Sequence, residues 1–105
     1  MRSKYLLKTN QQFLQQDLPD LPIALKQDFE AICNTALTQD PYGCFGLPNH
    51  QLKGELAHFR AIEIDYNGIS YRLVYRVYES PSPKRVQVIS FAEHDLAYQR
   101  AKERT

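Results

Sequence analysis

The sequence lacks any apolar run approaching the roughly 20 residues that a membrane helix needs. Its charged opening, Met1-Arg2-Ser3-Lys4-Tyr5-Leu6-Leu7-Lys8, has no apolar stretch long enough for a secretory signal. No membrane association is therefore expected. Cysteine is scarce: Cys33 and Cys44 are too few and too plainly spaced for a disulfide framework or a zinc site. They read as reduced packing residues of a cytoplasmic protein. No set of His, Cys, Asp and Glu has ligand spacing, so neither a metal nor a cofactor is expected. Charge of one sign is also missing. The net charge is +1, with four basic and five acidic residues in 1–52 and nine basic and seven acidic in 53–105. Nucleic-acid binders usually show a stronger basic bias, so charge names no partner. There is no internal repeat and no low-complexity segment.

What remains is one domain over 1–105, with 43% hydrophobic residues, seven Tyr and five Phe to fill a single core. Lys4 to Lys8 reads as a first strand. Thr9 then opens a helix with Gln12 at capping-box spacing, and that helix stops before Pro19. Asp20 and Pro22 mark a second helix start. Leu21, Leu25, Phe29, Ile32 and Ala36 follow as one apolar stripe, ended by Pro41 and Gly43. Residues 42–56, broken by Gly43, Gly46, Pro48 and Gly54, read as a loop. Beyond Ala57 the period becomes two. Strands are predicted over 57–66 and 69–78 around an Asn67-Gly68 hairpin turn, then over Arg85–Phe91 after Pro81 and Pro83. Asp95 to Arg104 is a short helix or tail. The expected class is α+β, in the order β-α-α-β-β-β-α. A small antiparallel sheet carries the helical hairpin on one face, and its other face is left bare with arginines on it.

Four segments in this order resemble the RelE/ParE superfamily of bacterial toxins over nearly the whole chain. Leu52-Lys53-Gly54 is similar to the LxG segment before that family's central strands. Phe59-Arg60-Ala61-Ile62 is similar to its aromatic–basic opening of the hairpin. Tyr71-Arg72-Leu73-Val74-Tyr75 resembles its YRLVY strand, the most specific of the matches. Val88-Ile89-Ser90 followed by His94-Asp95-Leu96-Ala97-Tyr98 resembles the last strand and the HDxAY continuation of one branch. The resemblance implies the toxin half of a toxin–antitoxin pair. Its activity would be that of a ribosome-dependent, metal-independent mRNA endonuclease, in which a 2′-hydroxyl attacks its own neighbouring phosphate. Two alternatives stay open: a gyrase-inhibiting toxin of the ParE kind without nuclease chemistry, and a degenerate, non-toxic member. The implied partners are a cognate antitoxin, the ribosome and mRNA, or DNA gyrase for the ParE-like alternative. The antitoxin would lay a helix or strand over the basic face or displace the C-terminal helix.

Such a reaction needs a base, cations for the phosphate and an acid for the leaving oxygen. The resemblance assigns phosphate stabilisation to Arg72, and proton transfer or base orientation to His94 and Tyr98. Where the best-known RelE toxins carry two lysines, this chain has Ala61 and Glu63. Glu63 is a candidate base or a partner for Arg72, and Arg60 is the nearest cation. A two-residue turn at Asn67-Gly68 pairs Glu63 with Arg72 and sends Arg60 to the core face. A three-residue turn with a glycine bulge brings Arg60 beside Arg72 instead. Arg76, Lys53 and Arg85 are candidates for RNA binding. His50 and His58 read as structural or surface residues. Lys84, Arg85, Arg100, Lys102 and Arg104 read as a solvated basic fringe able to steer RNA.

Overall fold

The computed structural model describes residues 4–104; the expectations resting on Met1–Ser3 and Thr105 lie outside the described residues. Five strands form one sheet in the order β1-β5-β4-β3-β2. They are β1 (Leu6–Thr9), β2 (Asn49–Gln51), β3 (Arg60–Tyr66), β4 (Ile69–Tyr78) and β5 (Arg85–Glu93). Strand β1 runs parallel to β5, and every other pairing is antiparallel. Helix α1 spans residues 11–20 with a wide π-helical stretch at Phe13–Asp17. Helix α2 (Ile23–Ile32) is prolonged by a second such stretch at Cys33–Leu37, and α3 is His94–Glu103. No helix among the described residues is long and apolar enough to cross a membrane.

The helix starts differ from the sequence reading. Asn10, not Thr9, caps α1: its Oδ1 accepts from the amides of Gln12 at 2.8 Å and Phe13 at 3.2 Å. Thr9 is instead the last residue of β1, facing Val88. Asp20 caps nothing, because it closes α1; α2 begins at Ile23 with Pro22 before it and no side-chain cap. The first strand starts at Leu6 rather than Lys4, since the amides of Lys4 and Tyr5 both bond the Thr38 carbonyl at 3.0 Å. Residues 42–56 are not all loop. Asn49, His50 and Gln51 pair with Ile62, Ala61 and Arg60 as an added edge strand.

The stripe Leu21, Leu25, Phe29, Ile32 and Ala36 is buried as read, against Ile62, Leu73, Tyr75, Val88 and Phe91 of the sheet. This helix-side core follows from alternation along β3 and β4, locked by the turn. Asn67 and Gly68 have φ of 51° and 75°, the two left-handed residues of a type I′ hairpin. The two-residue register results, with Glu63 opposite Arg72 and Arg60 opposite Tyr75. A bulge in β5 leaves Ile89 unpaired between Val88 and Ser90, so Phe91 still points at the helices.

The other face is not bare, contrary to the sequence expectation. Helix α3 folds back over it, and Ala97 and Ala101 pack with Leu56, Phe59, Ala61, Val74, Ile89 and Ala92 in a second, smaller core. Alanines at i and i+4 share one helix face and let the backbone approach the sheet closely. Ser90, fully buried, donates from its hydroxyl to the Ala97 carbonyl at 2.8 Å.

The far end of α3 is fastened by charge. The fully buried Asp17 carboxylate accepts from Arg100 at 2.7 Å, from both terminal nitrogens of Arg104 at 2.9 and 3.0 Å, and from the Phe91 amide at 2.8 Å. A buried carboxylate is tolerable only when its oxygens are satisfied this fully. Arg100 and Arg104 are thus structural ties and not the solvated fringe that their sequence positions suggested.

Candidate functional site

The part of the sheet face that α3 leaves uncovered holds a row of polar side chains contributed by β2, β3 and β4. Arg72 is its centre. It pairs with Glu63 on one side and Ala92 on the other. Its Nη1 donates to Ser70 Oγ at 2.7 Å and to the Tyr71 carbonyl at 3.0 Å, and its Nη2 lies 3.4 Å from Glu63 Oε1. Only 12% of the side chain is exposed, and its buried Nε has no partner. The guanidinium is therefore held in one orientation by the sheet, unlike a mobile surface arginine. A rigid, partly desolvated cation is what stabilising charge on a phosphate requires.

Glu63 faces a second nitrogen. Its Oε2 lies 3.4 Å from His50 Nδ1 of the edge strand β2. His50 sits opposite Ala61, which shares Glu63's face, so the residue set aside in the sequence joins the row. The order across the sheet is His50, Glu63, Arg72. What hid His50 was the Gly and Pro spacing of residues 42–56, which masked a three-residue strand. Asn49-His50-Gln51 has no apolar partner pattern to signal pairing.

His94 and Tyr98 lie one turn apart at the start of α3, with ring centroids 4.8 Å apart and planes at 72°. His94 Nδ1 is 2.8 Å from Asp95 Oδ1, and the side chain is half exposed. Tyr98 packs against the small core. Because Arg72 pairs with Ala92, two residues before α3 begins, this ring pair rises from the same end of the sheet as Arg72.

Arg60 is not part of this group. The observed register turns it to the helix-side face, where its Nη2 donates to Asn49 Oδ1 at 2.6 Å and the Tyr42 carbonyl at 3.2 Å. Its guanidinium lies 5.6 Å from the Tyr42 ring centre. It pins the loop before β2 at the sheet's rim, on the opposite face from Arg72.

The three candidates for RNA binding lie elsewhere. Arg76 sits over Tyr78 at 4.6 Å and Phe59 at 5.7 Å, and Arg85 sits over Tyr78 at 4.3 Å. They form a cation–aromatic ladder at the other end of β4 from Arg72. Lys53 is exposed just before the turn Gly54–Leu56. Lys84 pairs with Glu79 at 3.5 Å. Hydrogen bonds from Tyr5 and Tyr42, ahead of the Lys84 charge, hold the Glu79 carboxyl below its usual range. The two thiols are no nucleophiles. Burial pushes Cys33 up to about 12 and raises Cys44 as well.

Comparison with known proteins places the architecture. No family model matches the chain, and no curated protein matches it by sequence. The structure is similar to that of a YoeB/ParE toxin from Agrobacterium tumefaciens, with a TM-score of 0.67 and 23% identity over 85% of this chain and 98% of that one. It is also similar to the solution structure of a conserved hypothetical protein from Helicobacter pylori, with a TM-score of 0.50 and 19% identity over 87% and 96% of the two chains. At such identities the likeness is one of backbone and not of chemistry. The chain has the α+β fold of a YoeB/ParE toxin, the RelE/ParE architecture that its sequence resembles.

Proposed function

We propose that this protein is the toxin of a toxin–antitoxin pair and acts as a ribosome-dependent, metal-independent mRNA endonuclease. The observation that carries the reading is the His50–Glu63–Arg72 row lying at the same end of the sheet as the His94–Tyr98 ring pair. Cleavage by a 2′-hydroxyl needs a proton acceptor, a fixed cation at the phosphate and a proton donor for the leaving 5′-oxygen. The His50–Glu63 pair supplies the acceptor, Arg72 the cation, and His94 or Tyr98 the donor. Arg76, Arg85 and Lys53 lie outside this group and would bind RNA away from the scissile bond. A cognate antitoxin is the partner that such a toxin needs in a living cell.

Purified protein added to programmed ribosomes should cut A-site mRNA in excess chelator, leaving 2′,3′-cyclic or 3′-phosphate ends. Arg72→Ala should abolish both cutting and growth arrest. Intact mRNA together with inhibited gyrase supercoiling would replace this reading with a gyrase poison. Activity in neither assay would point to a non-toxic relative.

A further inference from the structure

Two groups in the row could accept the proton, and they are not equivalent. Both oxygens of Glu63 already face nitrogen: Oε1 faces Arg72 Nη2 and Oε2 faces His50 Nδ1, each at 3.4 Å. A carboxylate so placed has orienting work on both sides. His50 is different. Its Nδ1 is turned to Glu63, and 45% of its side chain is open to solvent. No hydrogen bond to its Nε2 is formed among the described residues. The 3.4 Å contact is an ion-pair distance and not a formed hydrogen bond; a carboxylate so placed favours the tautomer with its proton on Nδ1, which leaves the Nε2 lone pair as an acceptor. This is the division of labour that a carboxylate-oriented histidine has in other general-base sites. The strands enforce it: β2 brings His50 beside Ala61, and the type I′ register sets Glu63 against Arg72.

We infer that His50 is the general base of this site, with Glu63 as the positioning residue that fixes its tautomer and couples it to Arg72. The inference rests on the nuclease reading above. In the step, His50 Nε2 takes the proton of the attacking 2′-hydroxyl while the O2′–P bond forms. The P–O5′ bond breaks, and the departing 5′-oxygen takes a proton from His94 or Tyr98. The products are a 2′,3′-cyclic phosphate and a 5′-hydroxyl. Solvent then strips the proton from the His50 imidazolium.

The test is single-turnover cutting of A-site mRNA across pH 5 to 9, about two pH units on the acidic side of neutrality and two on the alkaline, the span in which an imidazole titrates. Wild-type cutting should rise with pH along one limb, as a reaction that uses a neutral imidazole as its base requires. His50→Gln should slow cutting by roughly 10²–10⁴-fold and erase that limb. His50→Ala should be partly rescued by added imidazole, which a merely structural side chain would not allow. Glu63→Gln should slow cutting less than His50→Gln does and should keep the pH-dependent limb, as expected when only the orientation of the ring is lost. Wild-type cutting with an unchanged limb in His50→Gln overturns the inference and leaves the nuclease reading standing. A wild-type protein that cuts nothing overturns both.

Discussion

Asp17 and Glu63 are both carboxylates set between two nitrogen-bearing side chains, yet they occupy opposite settings. Asp17 is fully buried, and its oxygens accept three guanidinium hydrogen bonds and one backbone amide at 2.7–3.0 Å. Glu63 is 41% exposed and meets its partners only at 3.4 Å. In the first cluster each carboxylate oxygen already accepts two hydrogen bonds, so neither is left for a ligand. In the second the contacts are longer and solvent reaches Glu63, so a ligand could enter and rearrange them. Saturated charge fastens a helix, and unsaturated charge on a rigid strand is available for chemistry.

The comparison can be broken from either side. Asp17→Ala should be the most damaging change, because it strands two guanidiniums, one of them only 3% exposed. A cost of about 3–5 kcal/mol is expected for removing one partner of a buried pair, read as a fall in the urea midpoint. A variant within 1 kcal/mol of wild type, about the worth of an exposed pair, would mean that the cluster is not a tie. Next comes Ala97→Leu, which adds bulk where α3 meets the sheet through alanines. Overpacking there should cost about 1–3 kcal/mol, with protease sensitivity rising in α3 before the strands. Smallest should be Glu63→Gln, whose exposed pairs should change stability by no more than about 0.5 kcal/mol. A loss of several kcal/mol on thermal melting would make Glu63 a structural residue like Asp17.

The sequence displayed its hairpin clearly. Asn67-Gly68 between two alternating segments marked the hairpin but left two registers open, and the two-residue register that forms decided which face Arg60, Glu63 and Arg72 occupy. The α2 stripe was equally legible, because five apolar residues at helical spacing have only one way to be buried. Other features needed the third dimension. Asp17 looks like any polar residue of a surface helix, and its burial depends on arginines at least 83 positions away. Ala97 and Ala101 are too small to register as an apolar face in a mainly polar segment, so this stretch read as a short helix or tail with no face to bury. His50 could not be placed because its strand is three residues long and is defined by its partner β3 rather than by its own pattern.

The closure of the fold across its sequence also bears on how the protein is made. Strand β1 completes the sheet by pairing with β5, and Asp17 waits for Arg104, 87 residues further along. At roughly 5–20 residues per second of synthesis, about 4 to 17 s separate the two. During that interval α1 has no anchor for its buried carboxylate, and the face under α3 is uncovered. The His50–Glu63–Arg72 row cannot acquire its neighbouring His94–Tyr98 pair until the last helix is in place. A nascent chain therefore cannot assemble the whole constellation before α3 has been made.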